Sequence, residues 1–303
     1  VIRPVLKHLT EAMLLHGGPA WIARRGRPGT LVLAYHNVVP DDSPPAGDRS
    51  LHLPRSAFAQ QLDLLLESVD VVPLAELVGP PATEAARPRV AITFDDAYHG
   101  AVTIGTEELA RRGLPATIFV TPGMLGRQFW WDACASPEGG LDPSLRDDAL
   151  ASMAGRDALV RAGAAERNVP IRQLPEAWRA VTEAELRAAS ERSPRLTLGS
   201  HTWSHPNLAA LAGDELRDEL LRPLEWLRAR FERAGPWIAY PYGLASDAVA
   251  RAAEAAGYDA GFLVTGGWMA ELPENRLLLP RYNVPAGITL RGFALRVAGV
   301  VRR

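Results

Sequence analysis

The chain has 303 residues, of which 47% are hydrophobic and 22% charged, so it carries enough apolar material for a full core and too much for a disordered polypeptide. A formal net charge of −2 supplies no basic field for nucleic acid, which makes a small or uncharged ligand the better expectation. The single cysteine, Cys134, excludes an internal disulfide and a multi-cysteine zinc site, fits a reducing compartment, and leaves only nitrogen and oxygen ligands for any metal.

At the N-terminus, Ile2, Val5, Leu6, Leu9 and Met13 recur at helical spacing with Arg3 and Lys7 between them, and Arg24, Arg25 and Arg27 follow. This predicts a helical extension over 1–29. It reads as a helix packed across one end of the domain or, alternatively, as a peripheral membrane contact. No run reaches the roughly 18 apolar residues of a membrane span, and none reads as a signal-peptide core, so the expectation is a cytoplasmic or membrane-peripheral protein.

The domain proper is expected over 30–303. Its first apolar run, Leu31–Tyr35, ends in Tyr35-His36-Asn37 and is followed by a Pro-rich loop from Pro40 to Asp48. After Ser56, the residues Phe58, Leu62, Leu65 and Leu66 mark one face of a helix. A second Pro-rich loop, Gly79–Pro88, leads to the strands Val90–Phe94 and Ala116–Val120. From 124 to 195 the chain inserts far more than the few residues of an ordinary connection, with helices predicted near Ser144–Glu166 and Thr182–Glu191. Such an insertion shapes a substrate rim or serves as a structural elaboration or oligomer contact. Strands Leu196–Gly199, Trp237–Tyr240, Tyr258–Val264 and Leu277–Tyr282 complete the pattern. Between the first two of these, Leu216, Leu220, Leu224, Leu227 and Phe231 form a helix that Pro223 should kink or start.

Strands alternating with helices predict an α/β fold of about seven parallel strands. No G-x-G-x-x-G or phosphate loop follows the first strand, which favours a (β/α) barrel over an open doubly wound sheet.

Three strand ends carry chemistry. Val90-Ala-Ile-Thr-Phe-Asp-Asp96 delivers two adjacent carboxylates, Asp95 and Asp96, whose mutual repulsion a cation would relieve. An N-cap with a solvated carboxylate is the plainer reading. Gly199-Ser-His201-Thr-Trp-Ser-His205-Pro places two imidazoles four apart, able to face one way if the segment makes a helical turn. Ala239-Tyr-Pro-Tyr242-Gly243 is a turn able to aim the Tyr242 N–H into the same mouth, unless it is simply a tight turn with two aromatic core residues.

The order T-F-D-D, H-x-x-x-H and Y-P-Y-G, each after a strand, resembles the polysaccharide deacetylase family, carbohydrate esterase family 4, over roughly residues 30–285. The resemblance implies a distorted (β/α) barrel that hydrolyses N-acetyl groups of amino-sugar glycans with one divalent metal. It implies Asp95 as the base, Asp96, His201 and His205 as metal ligands, and the Tyr242 N–H as oxyanion donor. Zinc suits such a nitrogen and oxygen site best, with cobalt, nickel, manganese or iron as alternatives. Tyr35-His36 resembles a subset of the family that processes exopolysaccharides.

Two departures from the family pattern bear on turnover. The family's arginine before the Pro-Tyr turn is replaced by Ala239, and its late histidine is missing from Leu278-Leu279-Pro280-Arg281. His36 is the candidate for the missing acid, against the alternative of a satisfied structural histidine. Arg281 is the candidate to orient Asp95 and contact substrate. His99, just past the Asp pair, is expected on a helix surface. Trp131, Asp132, Tyr240 and Pro241 are further candidates for substrate contacts. Trp130, Trp203, Trp237 and Trp268 are weighed as sugar platforms against core residues. Other readings are a metal-binding carbohydrate-binding protein without turnover, a hydrolase of a formamide or cyclic amide, and a mononuclear iron oxygenase.

Overall fold

The computed structural model describes residues 29–79 and 87–300, so the N-terminal helix expected over 1–29 lies outside the described residues. Each central strand is apolar on both faces, as a parallel strand covered by helices outside and side chains inside must be. In the strand Arg89–Phe94, Val90, Ile92 and Phe94 join the large outer core under the helices, whereas Ala91 packs inward. The inward cluster collects Val32, Ala91, Phe119, Ala239, Phe262 and Leu279 from successive strands, together with Leu74 and Leu77 of the helix Leu74–Val78. That is the filled lumen of a barrel.

The strands are β1 (Thr30–Tyr35), β2 (Asn37–Val39), β3 (His52–Pro54), β4 (Asp70–Val71), β5 (Arg89–Phe94), β6 (Ala116–Val120), β7 (Leu196–Ser200), β8 (Ala234–Ala239), β9 (Ala260–Phe262) and β10 (Tyr282–Asn283). The main sheet runs β10-β1-β5-β6-β7-β8-β9, with β4 added to β5 and every pairing parallel. Leu279 makes a parallel bridge to Phe262 of β9, and Tyr282 pairs with Leu33 of β1, so one short segment connects the two sheet edges.

That segment corrects the expectation of a continuous strand over Leu277–Tyr282. Arg276–Leu278 form a 3-10 turn, capped by Asn275 through the Leu277 N–H at 3.0 Å, and only Tyr282–Asn283 form a strand. Pro280 lacks the N–H a ladder needs, which interrupts the pairing and leaves the barrel distorted. The expected strands over Trp237–Tyr240 and Tyr258–Val264 are likewise shifted, to Ala234–Ala239 and Ala260–Phe262. Helix α1 (Arg55–Ser68) covers β1 and β5 with Phe58, Leu62 and Leu65. A later helix, Gly213–Arg230, starts well before Pro223 and contains it, so Pro223 is not its start.

The insertion folds as a string of short helices: Trp130–Ala133, Pro143–Ala151, Asp157–Glu166 and Glu183–Arg192. The expected helical stretch Ser144–Glu166 is broken in two at Ala154 (φ 50°) and Gly155 (φ 67°), where the backbone turns left-handed. Thr182 and Glu185 form a capping box that starts the last helix. Two backbone hydrogen bonds, Val181 N–H to Ala97 O at 3.0 Å and His99 N–H to Arg179 O at 2.8 Å, form an antiparallel bridge between Tyr98 and Ala180 that ties the insertion to the segment after β5. No helix among the described residues is long and apolar enough to cross a membrane.

Candidate active site

Strand alternation selects which residues reach the mouth of the barrel. Tyr35 is in register with Phe94, and the Asp95 N–H donates to Tyr35 O at 2.9 Å, so His36 and Asp95 continue the inward rows of their strands at adjacent positions. Arg281 continues the inward row of Leu279. His36, Asp95, Asp96, His201, His205 and Tyr242 all line one cleft of about 260 Å³.

Arg281 is completely buried, and its two terminal nitrogens donate to the two Asp95 oxygens at 2.7 Å each. A further bond, 3.0 Å to Thr93 Oγ1, fixes the guanidinium from the strand that carries Asp95. Burial alone would raise the Asp95 pKa, but the Arg281 charge, with His201 adding to it, holds the carboxyl well below its ordinary range. Asp95 is therefore an oriented carboxylate that stays ionised at neutral pH. Arg281 reaches Asp95 from beneath and does not line the cleft, so its place as a substrate contact is corrected to an anchor of Asp95.

Beside it, Asp96 Oδ1 lies 3.6 Å from His201 Nε2 and 3.3 Å from His205 Nε2, and the two imidazole nitrogens are 3.1 Å apart. Ligands about 2.0–2.1 Å from a tetrahedral cation stand roughly 3.3–3.4 Å from one another, so these three atoms have the mutual spacing of a metal face. His201 Nδ1 donates to Ala239 O at 2.7 Å, which leaves its Nε2 lone pair pointing at the other two groups. Asp96 Oδ1 is buried without a hydrogen-bond partner. Burial, then Asp95 and Asp132, push the Asp96 pKa well above its ordinary value, while burial lowers that of His201 and, with the His201 charge adding, lowers that of His205 further. An acid driven towards neutrality facing two neutral imidazoles is the state a divalent cation reverses, and the residues fit one.

The local backbone is left-handed at Asp96 (φ 69°), Ala97 (φ 51°), Thr202 (φ 65°), His205 (φ 65°) and Tyr242 (φ 59°), a concentration of costly conformations at one mouth. This overturns the expectation of a helical turn in H-x-x-x-H. Pro206 disfavours the right-handed helical region at His205, and the loop is held instead by Glu219, whose carboxylate accepts from the Trp203 and Ser204 N–H groups at 2.9 Å each. Glu219 carries no local mark in the sequence, because it acts from the middle of the helix Gly213–Arg230. In the Y-P-Y-G turn, Gly243 (φ 68°) sits where a Cβ would lie 1.9 Å from Val264 Cγ2, so glycine is required there.

The opposite wall comes from the insertion. The Trp131 ring lies 4.7 Å from His205 and stacks on Phe129 at 4.5 Å, and its Nε1 donates to Tyr98 Oη at 2.8 Å. Tyr98 in turn donates to Asp132 Oδ2 at 2.5 Å. Asp132, expected as a substrate contact, is completely buried: its Oδ1 accepts from the Asp48 N–H and His52 Nε2 at 2.8 Å each. It supports the wall from behind. Tyr240 and Pro241 are also corrected, since both are buried and neither lines the cleft; Tyr240 packs with Leu220, Ile238 and Tyr258. Among the other tryptophans, Trp130 lines the cleft and donates to Tyr242 Oη at 3.3 Å, Trp203 stacks beneath Arg222 at 3.5 Å, Trp237 is in the barrel lumen, and Trp268 bonds Arg296 O at 3.0 Å.

His36 is half-buried in the cleft, and burial, opposed by the Asp95 charge, pushes its pKa down to about 4. His99 is half-buried near Glu185 and Glu176, two carboxylates already held by Arg179, and takes no part in the cleft. Sequence reasoning passed over Tyr98, Asp48, Arg146 and Asn283, of which the last three line the cleft.

The family model described as polysaccharide deacetylase matches residues 82–261, more than half of the chain. No curated protein matches at the sequence level. Among solved structures, the fold is similar to that of the Streptococcus pyogenes deacetylase PplD in complex with acetate, with a TM-score of 0.60 at 16% identity over 89% of this chain and 98% of that one. IcaB from Ammonifex degensii is similar with a TM-score of 0.61 at 19% identity, covering 89% and 97%. The BpsB deacetylase domain from Bordetella bronchiseptica gives 0.53 at 15%, covering 84% and 96%.

Proposed function

The chain belongs to the polysaccharide deacetylase family, whose members are carbohydrate N-deacetylases, and from that premise we propose that it hydrolyses N-acetyl groups on an amino-sugar glycan or glycan precursor at the cleft lined by Asp95 and Asp96. The observation that carries this reading is the convergence of Asp96, His201 and His205 at ligand spacing beside an ionised, Arg281-anchored Asp95. A facial triad alone would also suit an iron oxygenase, but that chemistry has no use for a second oriented carboxylate.

Asp96, His201 and His205 would hold the metal, for which zinc is our assignment on the nitrogen and oxygen donor set. When bound, the cation polarises the amide carbonyl and acidifies water. Asp95 accepts the proton of the attacking water; its pairing with Arg281 costs basicity but keeps it ionised and aimed. The backbone N–H of Tyr242, a left-handed residue of the cleft lining, is our assignment as the donor to the developing oxyanion. His36 begins neutral, so the proton it delivers is the one Asp95 took from water: as negative charge develops on the adduct, His36 accepts that proton and passes it to the leaving nitrogen, which leaves Asp95 and His36 as they began.

The test is acetate release from a panel of N-acetylated amino sugars and oligomers by metal-stripped protein with zinc or cobalt restored, beside Asp95→Asn. Release that needs metal and disappears in the variant supports the reading. Metal binding without release across the panel overturns it in favour of a binding role or another amide.

A further inference from the structure

The insertion brings to the cleft a charge that hydrolysis of the amide does not use. Its helix Pro143–Ala151 is started by Asp142, which accepts from the Leu145 N–H at 3.0 Å, and is anchored by the buried Leu145 and Ala149. Arg146 and Leu150, each one position further along and therefore one turn apart, occupy the adjacent face and line the cleft with Leu141. Several other arginines of the insertion are spent on carboxylates, Arg127 and Arg161 on Asp157, Arg156 on Glu215, Arg167 on Asp148 and Arg179 on Glu185, whereas Arg172, Arg192 and Arg195 have no ion pair among the described residues but do not line the cleft. The Arg146 side chain has no hydrogen-bond or ion-pair partner among the described residues.

The charge balance of the cleft points the same way. Arg281 cancels Asp95, so Asp48 and Asp96 are the remaining fixed negative charges of the lining, and Arg146 is its one arginine. With a divalent cation held by the triad, the positive charge exceeds the negative. Arg146 is exposed at the rim of the cleft, whose lining also includes Leu51, Leu141 and Leu150. A guanidinium presents a planar fork of donors that matches a phosphate or carboxylate. The cleft volume of about 260 Å³ suits one small sugar unit at a time, being below the ~300–1,000 Å³ typical of drug-sized ligand sites.

We propose that Arg146 is a specificity residue that binds an anionic substituent, a phosphate or a carboxylate, carried by the amino sugar whose acetyl group is removed. The proposal rests on the deacetylase reading for its reaction and on the Arg146 geometry for its substrate class. It assigns the insertion the task of selecting acidic over neutral amino sugars.

The experiment compares kcat/KM of acetate release by the zinc-loaded protein on N-acetylglucosamine, its 1- and 6-phosphates, and N-acetylmuramic acid, for the wild type and Arg146→Gln, Arg146→Lys and Arg146→Glu. The expected result is a wild-type preference for an acidic probe, and a loss in Arg146→Gln that is roughly tenfold greater on that probe than on N-acetylglucosamine, carried mainly by KM. Lysine restores part of the preference, because it keeps the charge without the fork, and glutamate inverts it. Which acidic probe responds separates phosphate from carboxylate. A wild type indifferent to charge, or equal losses on neutral and acidic probes, overturns the proposal. If no probe releases acetate, the deacetylase reading fails by itself. Calorimetric binding of the same acidic probes then decides for Arg146: tighter binding by the wild type than by Arg146→Gln upholds the anion site, and equal binding sinks it.

Discussion

Asp95, Asp96 and His201 stand at the ends of parallel strands, almost wholly buried, while Trp131, Arg146 and Leu150 reach the same cleft from short helices of the insertion. On the strand side, position follows from the ladder. Asp95 is bonded through its N–H to Tyr35 O, and His201 through its N–H to Val120 O at 2.8 Å, so a side chain can move only if the sheet moves. On the insertion side, position follows from side chains: Trp131 is aimed by Tyr98, Tyr98 by Asp132, and Arg146 by the helix that buries Leu145 and Ala149. Groups that handle protons and a metal need sub-ångström placement, which a closed ladder supplies. Groups that recognise the rest of a substrate tolerate looser supports and can change without disturbing the reaction.

Breaking the strand side should cost most. Asp95→Asn is expected to lower kcat by about 10²–10⁴-fold, as loss of a general base does, while metal uptake measured by titration persists. A variant with kcat near that of the wild type would remove Asp95 from the mechanism. Next, Arg281→Met leaves Asp95 buried and unpaired, and should reduce stability at neutral pH by about 3–5 kcal/mol in urea unfolding. The sign follows from the depressed Asp95 pKa. The pair's contribution is fully present above the unfolded carboxylate value of about 3.9 and is lost as pH falls towards the lower folded value. In the variant, burial without Arg281 raises the Asp95 pKa, so its penalty is relieved as pH falls through that raised value, and the gap should narrow there first and again in strong acid as the wild-type pair is protonated; a gap that does not change with pH would contradict the assignment.

His36→Ala sharpens the comparison from between the two walls. A drop in kcat of about 10²-fold, with metal affinity unchanged, is expected of an acid; a change confined to stability would make His36 structural. The smallest effect belongs to the insertion side. Tyr98→Phe removes the acceptor of the Trp131 N–H and one donor to Asp132, for about 1–3 kcal/mol of stability. KM should rise by a few-fold while kcat holds. Equal falls in kcat and kcat/KM would place Trp131 on the reaction itself.

The T-F-D-D signal was legible as a strand delivering two carboxylates, and it was its company with H-x-x-x-H and Y-P-Y-G after other strands, not the pair alone, that weighed against a simple N-cap. H-x-x-x-H was legible as a pair of imidazoles but not as a conformation. The left-handed His205 and the clamp from Glu219 depend on a helix that returns to the loop, and no local pattern announces that return. The seventh strand was legible as an apolar run, yet its break at Pro280 turned most of it into a turn and a single bridge. Asp132 beside Trp131 looked like a polar contact for substrate. Only the approach of Tyr98, His52 and the Asp48 backbone shows a carboxylate consumed in supporting the wall.

Sequence alone therefore determined the alternation of strands and helices, the chemical groups at the strand ends and the presence of a long insertion, because these follow from the order of apolar and polar residues along the chain. Tertiary structure decided that Arg281 grips Asp95, that three ligand atoms converge beside that pair, and that Arg146 lines the cleft with no side-chain partner among the described residues. Each of these joins residues far apart in sequence, and closure of the sheet and docking of the insertion are what set their distances.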